Sequence, residues 1–294
     1  MIQFYLGTHQ PAWLAHAGVP LFVSHRRLAG RTTLPRAQAG WALDSGGFSE
    51  LSLFGQWRTS PEDYVAAVRR YDEEIGQLEW AAPQDWMCEP TLLAKTGLTV
   101  AEHQHRSVAN FKQLRDLWGD AFSCPFMPVL QGWNRDEYLR CLDLYAAHGV
   151  DLTEYPVIGL GSVCRRQATG EIGAVVAALR AVDPGMALHG FGVKKTGLAA
   201  YGHMLTADTN AEFNRGSADS MAWSFDARRH GRRRCDGTGH QNCANCLPYA
   251  LTWRAEVLAA IDSAQQLDLL SALEDEESHG AREQLSCTKL GLPA

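Results

Sequence analysis

The chain has 294 residues, with 27 Lys+Arg against 33 Asp+Glu and a formal charge of −6. A hydrophobic share of 46% and a charged share of 20% exclude a coiled coil, a collagen-like chain and a disordered tail. The negative charge excludes coating nucleic acid by bulk electrostatics, though not a local basic patch. No apolar run approaches the roughly 18 residues a membrane helix needs. The start, Met1 to Gly7, lacks a charged region followed by a long apolar stretch, so a cytoplasmic location with no membrane partner is expected.

In chain order, eight short apolar runs stand between polar or glycine-rich elbows. They are Phe4-Tyr5-Leu6, Leu21-Phe22-Val23, Trp41-Ala42-Leu43, Trp80-Ala81-Ala82, Phe126 to Leu130, Val157 to Leu160, Leu188 to Phe191 and Ala218 to Met221. Such runs are what buried parallel strands look like. Helix signals lie between them. Ser60-Pro61-Glu62-Asp63 gives an N-cap, a first-turn proline and acids, followed by Val65, Val68, Tyr71 and Ile75 at helical spacing. Thr99-x-x-Glu102 is a capping box before Val108, Phe111, Leu114 and Leu117-Trp118. Asn134-x-x-Glu137 opens another helix, with Tyr138, Cys141, Leu142 and Tyr145 as its stripe and Gly149 at its end. Ile172, Val175, Val176 and Leu179 mark one more, stopped at Asp183-Pro184. The first two units are too short for full helices. The alternation predicts an α/β fold, a (βα)8 TIM-like barrel over residues 1–234, with an open doubly wound sheet as its competitor. Residues 235–294 are expected to form a small zinc-binding knuckle and a helical segment, with a helix from Pro248 to Ile261.

In a barrel, chemistry sits where strands end. Those ends are polar: Thr8-His9, Ser24-His25, Asp44-Ser45-Gly46-Gly47-Phe48, Gln84-Asp85, Gln131-Gly132, Gly161-Ser162, Gly192-Val193-Lys194 and Asp219-Ser220. A lone Asp after a strand is more often a cap than a catalyst. Three of them with a Gln form an acceptor-rich pocket that glycines open to a flat ligand. His9 and His25 either line this mouth or hydrogen-bond within it.

The cysteines divide into two sets. Cys88, Cys124, Cys141, Cys164 and Cys287 are scattered and read as buried or inert thiols. Cys235-x4-His240-x2-Cys243-x2-Cys246 supplies four ligands within a dozen residues, a set suited to structural Zn²⁺ with no open position; His230 and His279 remain alternative ligands. Between the last strand and this cluster runs Arg228-Arg229-His230-Gly231-Arg232-Arg233-Arg234. A charge run is most often a solvated face. Beside a base pocket, its guanidinium groups suit phosphate gripping. The acidic run Glu274 to Glu277 reads as a solvated tail segment.

Several of these stretches, in order, resemble the tRNA-guanine transglycosylase superfamily. Asp44-Ser45-Gly46-Gly47-Phe48, Val129-Leu130-Gln131-Gly132, Ile158-Gly159-Leu160-Gly161 and Leu188-His189-Gly190-Phe191-Gly192 are each similar to one of its elements. Gly7 to Pro11, Ala82 to Met87 and Ser217 to Trp223 look like its DpdA-type branch, associated with 7-deazaguanine bases in DNA. The resemblance implies base exchange: guanine in DNA replaced by a free 7-deazaguanine such as preQ0 through a covalent aspartyl–glycosyl intermediate. It implies Asp44 as general acid/base and Asp219 as nucleophile. Ser45, Phe48, Asp85, Gln131, Gly132 and Gly161 would contact the base, and His189 stands where the family has a stacking methionine. The family writes Asp-Met-Phe-Asp where this chain has Asp219-Ser220-Met221-Ala222, and Asp226 is the alternative nucleophile. Expected partners are DNA, the free base and accessory DNA-modification proteins, with structural Zn²⁺ as the metal. The rival readings are a queuine- or preQ-type enzyme acting on tRNA, a glycosylase that releases free base and a non-catalytic nucleic-acid-binding paralogue. A zinc hydrolase is disfavoured because the clustered ligands are not spread over strand ends.

Overall fold

The computed structural model describes residues 2–120, 123–164, 166, 170–207, 215–230, 235 and 239–263. Each of the eight apolar runs forms a strand: β1 (Gln3–Thr8), β2 (Leu21–Ser24), β3 (Trp41–Asp44), β4 (Leu78–Ala81), β5 (Val129–Leu130), β6 (Ile158–Leu160), β7 (Leu188–Gly190) and β8 (Ser217–Ser220). They make one sheet in the order β4-β3-β2-β1-β8-β7-β6-β5, and every pairing within it is parallel. The sheet curls into a half-barrel. One isolated bridge joins β4 to the segment just before β5, where Ala81 pairs with Phe126; Ala81 N–H donates to Pro125 O at 2.7 Å and Met127 N–H to Ala81 O at 3.2 Å. A continuous β4–β5 ladder, which a closed barrel has, is not formed among the described residues.

The first two connections are short, as the sequence indicates: a 3₁₀ turn (Pro11–Ala15) and α1 (His25–Leu28). The longer helices are α2 (Gly47–Phe54), α3 (Pro61–Ile75), α4 (Pro90–Thr96), α5 (Val100–Trp118), α6 (Arg135–Ala147), α7 (Gly170–Val182), α8 (Lys195–Tyr201) and α9 (Ala222–His230), followed by a helix over residues 247–263. Both capping boxes form: Thr99 and Glu102 close α5, and Asn134 and Glu137 close α6. The expected stripes of α3 and α7 are buried throughout. On α5, Leu117 departs from its stripe and is exposed, while its neighbour Trp118 takes the inward position.

The period of two along each strand sorts side chains into two layers. Leu6, Val23, Trp41, Leu43, Leu130 and Leu188 pack outward against the helices, whereas Tyr5, Phe22, Ala42, Trp80, Met127 and Val129 fill the lumen. Each fully buried residue of this size contributes about 1.5–3 kcal/mol relative to exposure. Three tyrosines tie helices to strand ends: Tyr64 donates to Ala82 O at 2.8 Å, Tyr138 to Gly161 O at 2.6 Å and Tyr145 to Val129 O at 3.1 Å. Among the described residues no helix is long and apolar enough to cross a membrane.

Candidate active site at the strand ends

The same alternation carries a polar set inward above the apolar lumen. Leu43 faces the helices, so the next residue, Asp44, turns in; Ala218 faces them, so Asp219 turns in; Leu130 faces them, so Gln131 turns in. Asp85 follows β4 three residues after Ala82 and meets Gln131. Asp44, Asp85, Asp219 and Gln131 thus gather at one end of the curled sheet.

Asp44 is set by a tight turn. Its Oδ1 accepts the Gly46 N–H at 2.9 Å. Gly46 has φ +81°, and a Cβ there would lie 2.8 Å from Arg26 Cγ, so only glycine suits the position. Arg26 in turn donates to the buried Glu50 at 2.8 Å. Burial raises the Asp44 carboxyl above the usual carboxylate range. Hydrogen bonds from Gly46 and Ser24 pull it back, Asp219 adds to the rise and Arg26 opposes it.

Asp219 is 6% exposed, and its Oδ1 accepts the Gly192 N–H at 2.8 Å from the end of β7. Below it lies His189, whose Nε2 is 3.4 Å from the same oxygen and whose Nδ1 is 2.8 Å from Ser217 Oγ. His189 is fully buried, with the rings of Trp80 and Phe191 at 4.6 and 4.7 Å. Burial lowers its pKa against the pull of Asp219, which keeps the imidazole neutral. No face of His189 is open to a stacking base; it lies beneath Asp219, fully buried. Asp226 instead lies in the second turn of α9, two residues before Arg228.

Asp85 and Gln131 form a hydrogen-bonded pair. Gln131 Nε2 donates to Asp85 Oδ2 at 2.5 Å, and its Oε1 accepts from Ser162 Oγ at 2.7 Å, which fixes the amide orientation. Ser162 also accepts the Cys88 N–H at 2.7 Å and has Glu89 Oε2 at 3.0 Å. A Cβ on Gly161 would sit 2.2 Å from Gln131 Nε2, so the glycine makes room for that amide. Gly161 O is held by Tyr138, and Gly161 N–H donates to Leu130 O at 3.0 Å. Burial pushes Asp85 up to about 7; Gln131 lowers it, while Asp44 and Glu89 raise it.

The other expected residues fall as follows. Phe48 stands on α2, 44% exposed; Ser45 and Gly132 are buried. His25 leaves the mouth: it is buried in the helix layer, with Nδ1 3.0 Å from Tyr71 Oη and a pKa pushed down to about 4 by burial. His9 stays at the rim, where burial and the charges of Arg27 and Arg228 lower its pKa. Arg228 and Arg229 are exposed on α9, whereas Arg232, Arg233 and Arg234 lie outside the described residues. Of the scattered thiols, Cys88 and Cys141 are buried and Cys124 is partly so. Cys164, after β6, is exposed. Cys287 falls outside the described residues. Sequence reasoning reaches Ser24, Ser162 and Gly192 only as polar strand ends. It reaches Tyr138 only as a member of a helix stripe, and it misses Arg26, Glu50 and Glu89, which belong to no motif and act through contacts between distant segments.

The metal-ligand expectation has a direct geometric counterpart. Cys235 Sγ lies 3.4 Å from His240 Nε2 and from Cys246 Sγ, and Cys243 Sγ is 3.5 Å from His240 Nε2. All four donor atoms lie within 4.8 Å of one another and could hold a metal ion. A tetrahedral ion with bonds of about 2.0–2.3 Å spaces its donors by about 3.3–3.8 Å, so the set fits. The knuckle joins the main core: Cys243 and Cys246 are buried, Ser224 Oγ donates to Ala244 O at 2.7 Å and Trp223 meets Tyr249 at 6.4 Å. His279 lies outside the described residues, and of His230 only the backbone is described.

A family model described as DpdA, DeoxyPurine in DNA protein A, matches residues 1–287. No curated protein matches the chain.

Proposed function

Because this chain belongs to the DpdA family, whose role is DNA modification by transglycosylation, we propose that it exchanges guanine in DNA for a 7-deazaguanine base such as preQ0. The observation that carries the reading is the convergence of three carboxylates: Asp219 raises Asp44, and Asp44 raises Asp85. Carboxyl groups whose environments differ at one site are how acid and nucleophile roles are divided.

In this mechanism an oxygen of Asp219 attacks the sugar C1′. The C1′–N9 bond breaks, its electron pair goes to N9, and Asp44, in its protonated form, gives N9 a proton. Guanine leaves, and an ester joins Asp219 to the sugar. The incoming base loses its N9 proton to Asp44 and attacks C1′, the ester bond breaks and Asp219 is regenerated. Gly192 orients the nucleophile. Asp85 and Gln131 read the amino-pyrimidinone edge, Phe48 covers the face, and Ser45, Gly132 and Gly161 shape the slot. His189 supports Asp219 from below.

Cys235, His240, Cys243 and Cys246 would hold Zn²⁺, which would tie the knuckle to the rest of the fold and take no part in the exchange. Arg228 and Arg229, with Arg232, Arg233 and Arg234, would grip phosphates, and accessory DNA-modification proteins would bring the substrate. Single-bridge contact between Ala81 and Phe126 would suffice to close the barrel.

The test is incubation of the pure protein with radiolabelled guanine and either plasmid DNA or tRNA, followed by counting the polymer. Label is expected in DNA, and Asp219→Asn should abolish it. Label in tRNA alone would sink the DNA reading. Exchange by Asp219→Asn at the wild-type rate would move the nucleophile to Asp226.

A further inference from the structure

Phe225 is 62% exposed, more than any other large apolar side chain among the described residues. It lies in the first turn of α9, the helix that begins two residues after β8, the strand that carries Asp219. The helix is sharply two-faced. Trp223, Ser224 and Ala227 are buried, with Trp223 stacked on Trp13 at 5.5 Å and donating to Gly7 O at 2.9 Å. That anchor leaves Phe225 turned away from the core, with the exposed Arg228 and Arg229 three and four residues on, along the same face. Arg228 and Arg27 both act on His9 at the end of β1, so positive charge collects around this part of the rim. A phenyl ring held in water in the first turn of the helix that follows the candidate nucleophile's strand, with arginines on the same face, matches one partner chemistry: a stack of bases between two phosphate backbones.

We propose that Phe225 is a wedge that enters duplex DNA at the gap left by the flipped guanine, while Arg228 and Arg229 hold the flanking phosphates. This rests on the DNA reading above. A base cannot reach a carboxylate in the mouth without leaving the helix, and unstacking is the costly part of that move. An apolar side chain inserted at the vacated step offsets the lost stacking. A wedge is needed only when the target starts out paired and stacked.

The experiment compares wild type, Phe225→Ala and Phe225→Trp on one sequence in two forms: a closed duplex, and the same duplex with the target guanine in an unpaired bubble. Two readouts are taken, exchange of labelled guanine and the binding-induced fluorescence of 2-aminopurine placed beside the target. Phe225→Ala should lose about tenfold or more on the duplex relative to its own change on the bubble. It should also lose the fluorescence rise on the duplex, and Phe225→Trp should keep both. Equal losses on the two substrates, or no loss on either, would overturn the wedge. A wild-type fluorescence rise that depends on Phe225 without any exchange would keep the wedge and overturn the transglycosylase reading. Absence of the rise in wild type would overturn the wedge whatever the exchange assay shows.

Discussion

Asp219 and Asp44 face one lumen from strands three places apart in the sheet, and the charge of Asp219 helps to hold the Asp44 carboxyl above its ordinary range. The interaction acts through charge, so neutralising Asp219 alters the proton affinity of Asp44.

Asp44→Asn keeps an oxygen for the Gly46 N–H but cannot exchange a proton. Base exchange should fall by about 10²–10⁴-fold with the melting temperature little changed. Asp219→Asn should lower the pKa of Asp44, by removing a like charge. An infrared carboxyl titration of the two proteins reads that shift; an unmoved Asp44 in Asp219→Asn would show that the two groups are not coupled.

Asp85 gives a pH signature. Its folded pKa of about 7 lies above the value of about 3.9 for an unfolded aspartate. A raised carboxyl stabilises the fold below the unfolded pKa and loses that contribution as pH rises through the folded one. Wild type should therefore lose stability between about pH 4 and pH 7, on the order of a few kcal/mol. Asp85→Asn should flatten this slope and melt higher than wild type at pH 8. Free 7-deazaguanine needs the ionised carboxylate to accept its N–H groups, so its Kd should tighten from pH 6 to pH 8. Parallel thermal-melt and calorimetric series check both signs.

Gly161→Ala tests the orientation of Gln131. The added Cβ would lie 2.2 Å from Gln131 Nε2, so the amide must move away from Asp85. Overpacking of this kind costs about 1–3 kcal/mol. Base affinity should drop, and Gln131→Ala combined with Gly161→Ala should cost less than the sum of the two single changes, which a double-mutant cycle reads directly.

The Cys235–His240–Cys243–Cys246 group should carry one metal ion per chain by elemental analysis. Cys243→Ser, or a strong chelator, should lower the melting temperature, because the knuckle shares its core with Trp223 and Tyr249. Loss of metal without any change in melting would separate the knuckle from the fold.

Much of the architecture was local enough to read. The eight apolar runs became strands because each is short, apolar and bounded by polar residues, and Thr99 and Asn134 announced α5 and α6 through their capping boxes. Helices α2, α4 and α8 stayed hidden. One starts inside the Gly46-Gly47 element, and the other two span seven residues each, too few to show a period. Asp44, Asp85, Gln131 and Asp219 were visible because a polar residue after a strand is a local pattern. What holds them was not: Ser162 meets Glu89 across 73 positions and Arg26 meets Glu50 across 24. His25 also misled, since its place after β2 fits the mouth, whereas the start of α1 rotates it against Tyr64 and Tyr71.

The seam of the sheet has a mechanical consequence. β4 touches the segment before β5 through Ala81 and Phe126, and the hydrogen bond from Gln131 to Asp85 crosses the same junction one step higher. The Ala81–Phe126 bridge and the contact proposed to sense the base share one junction, so on that proposal filling the slot would draw the two edges of the curl closer. On that proposal the amide protons of Ala81 and Met127, which cross the junction, should exchange more slowly with solvent when base is bound.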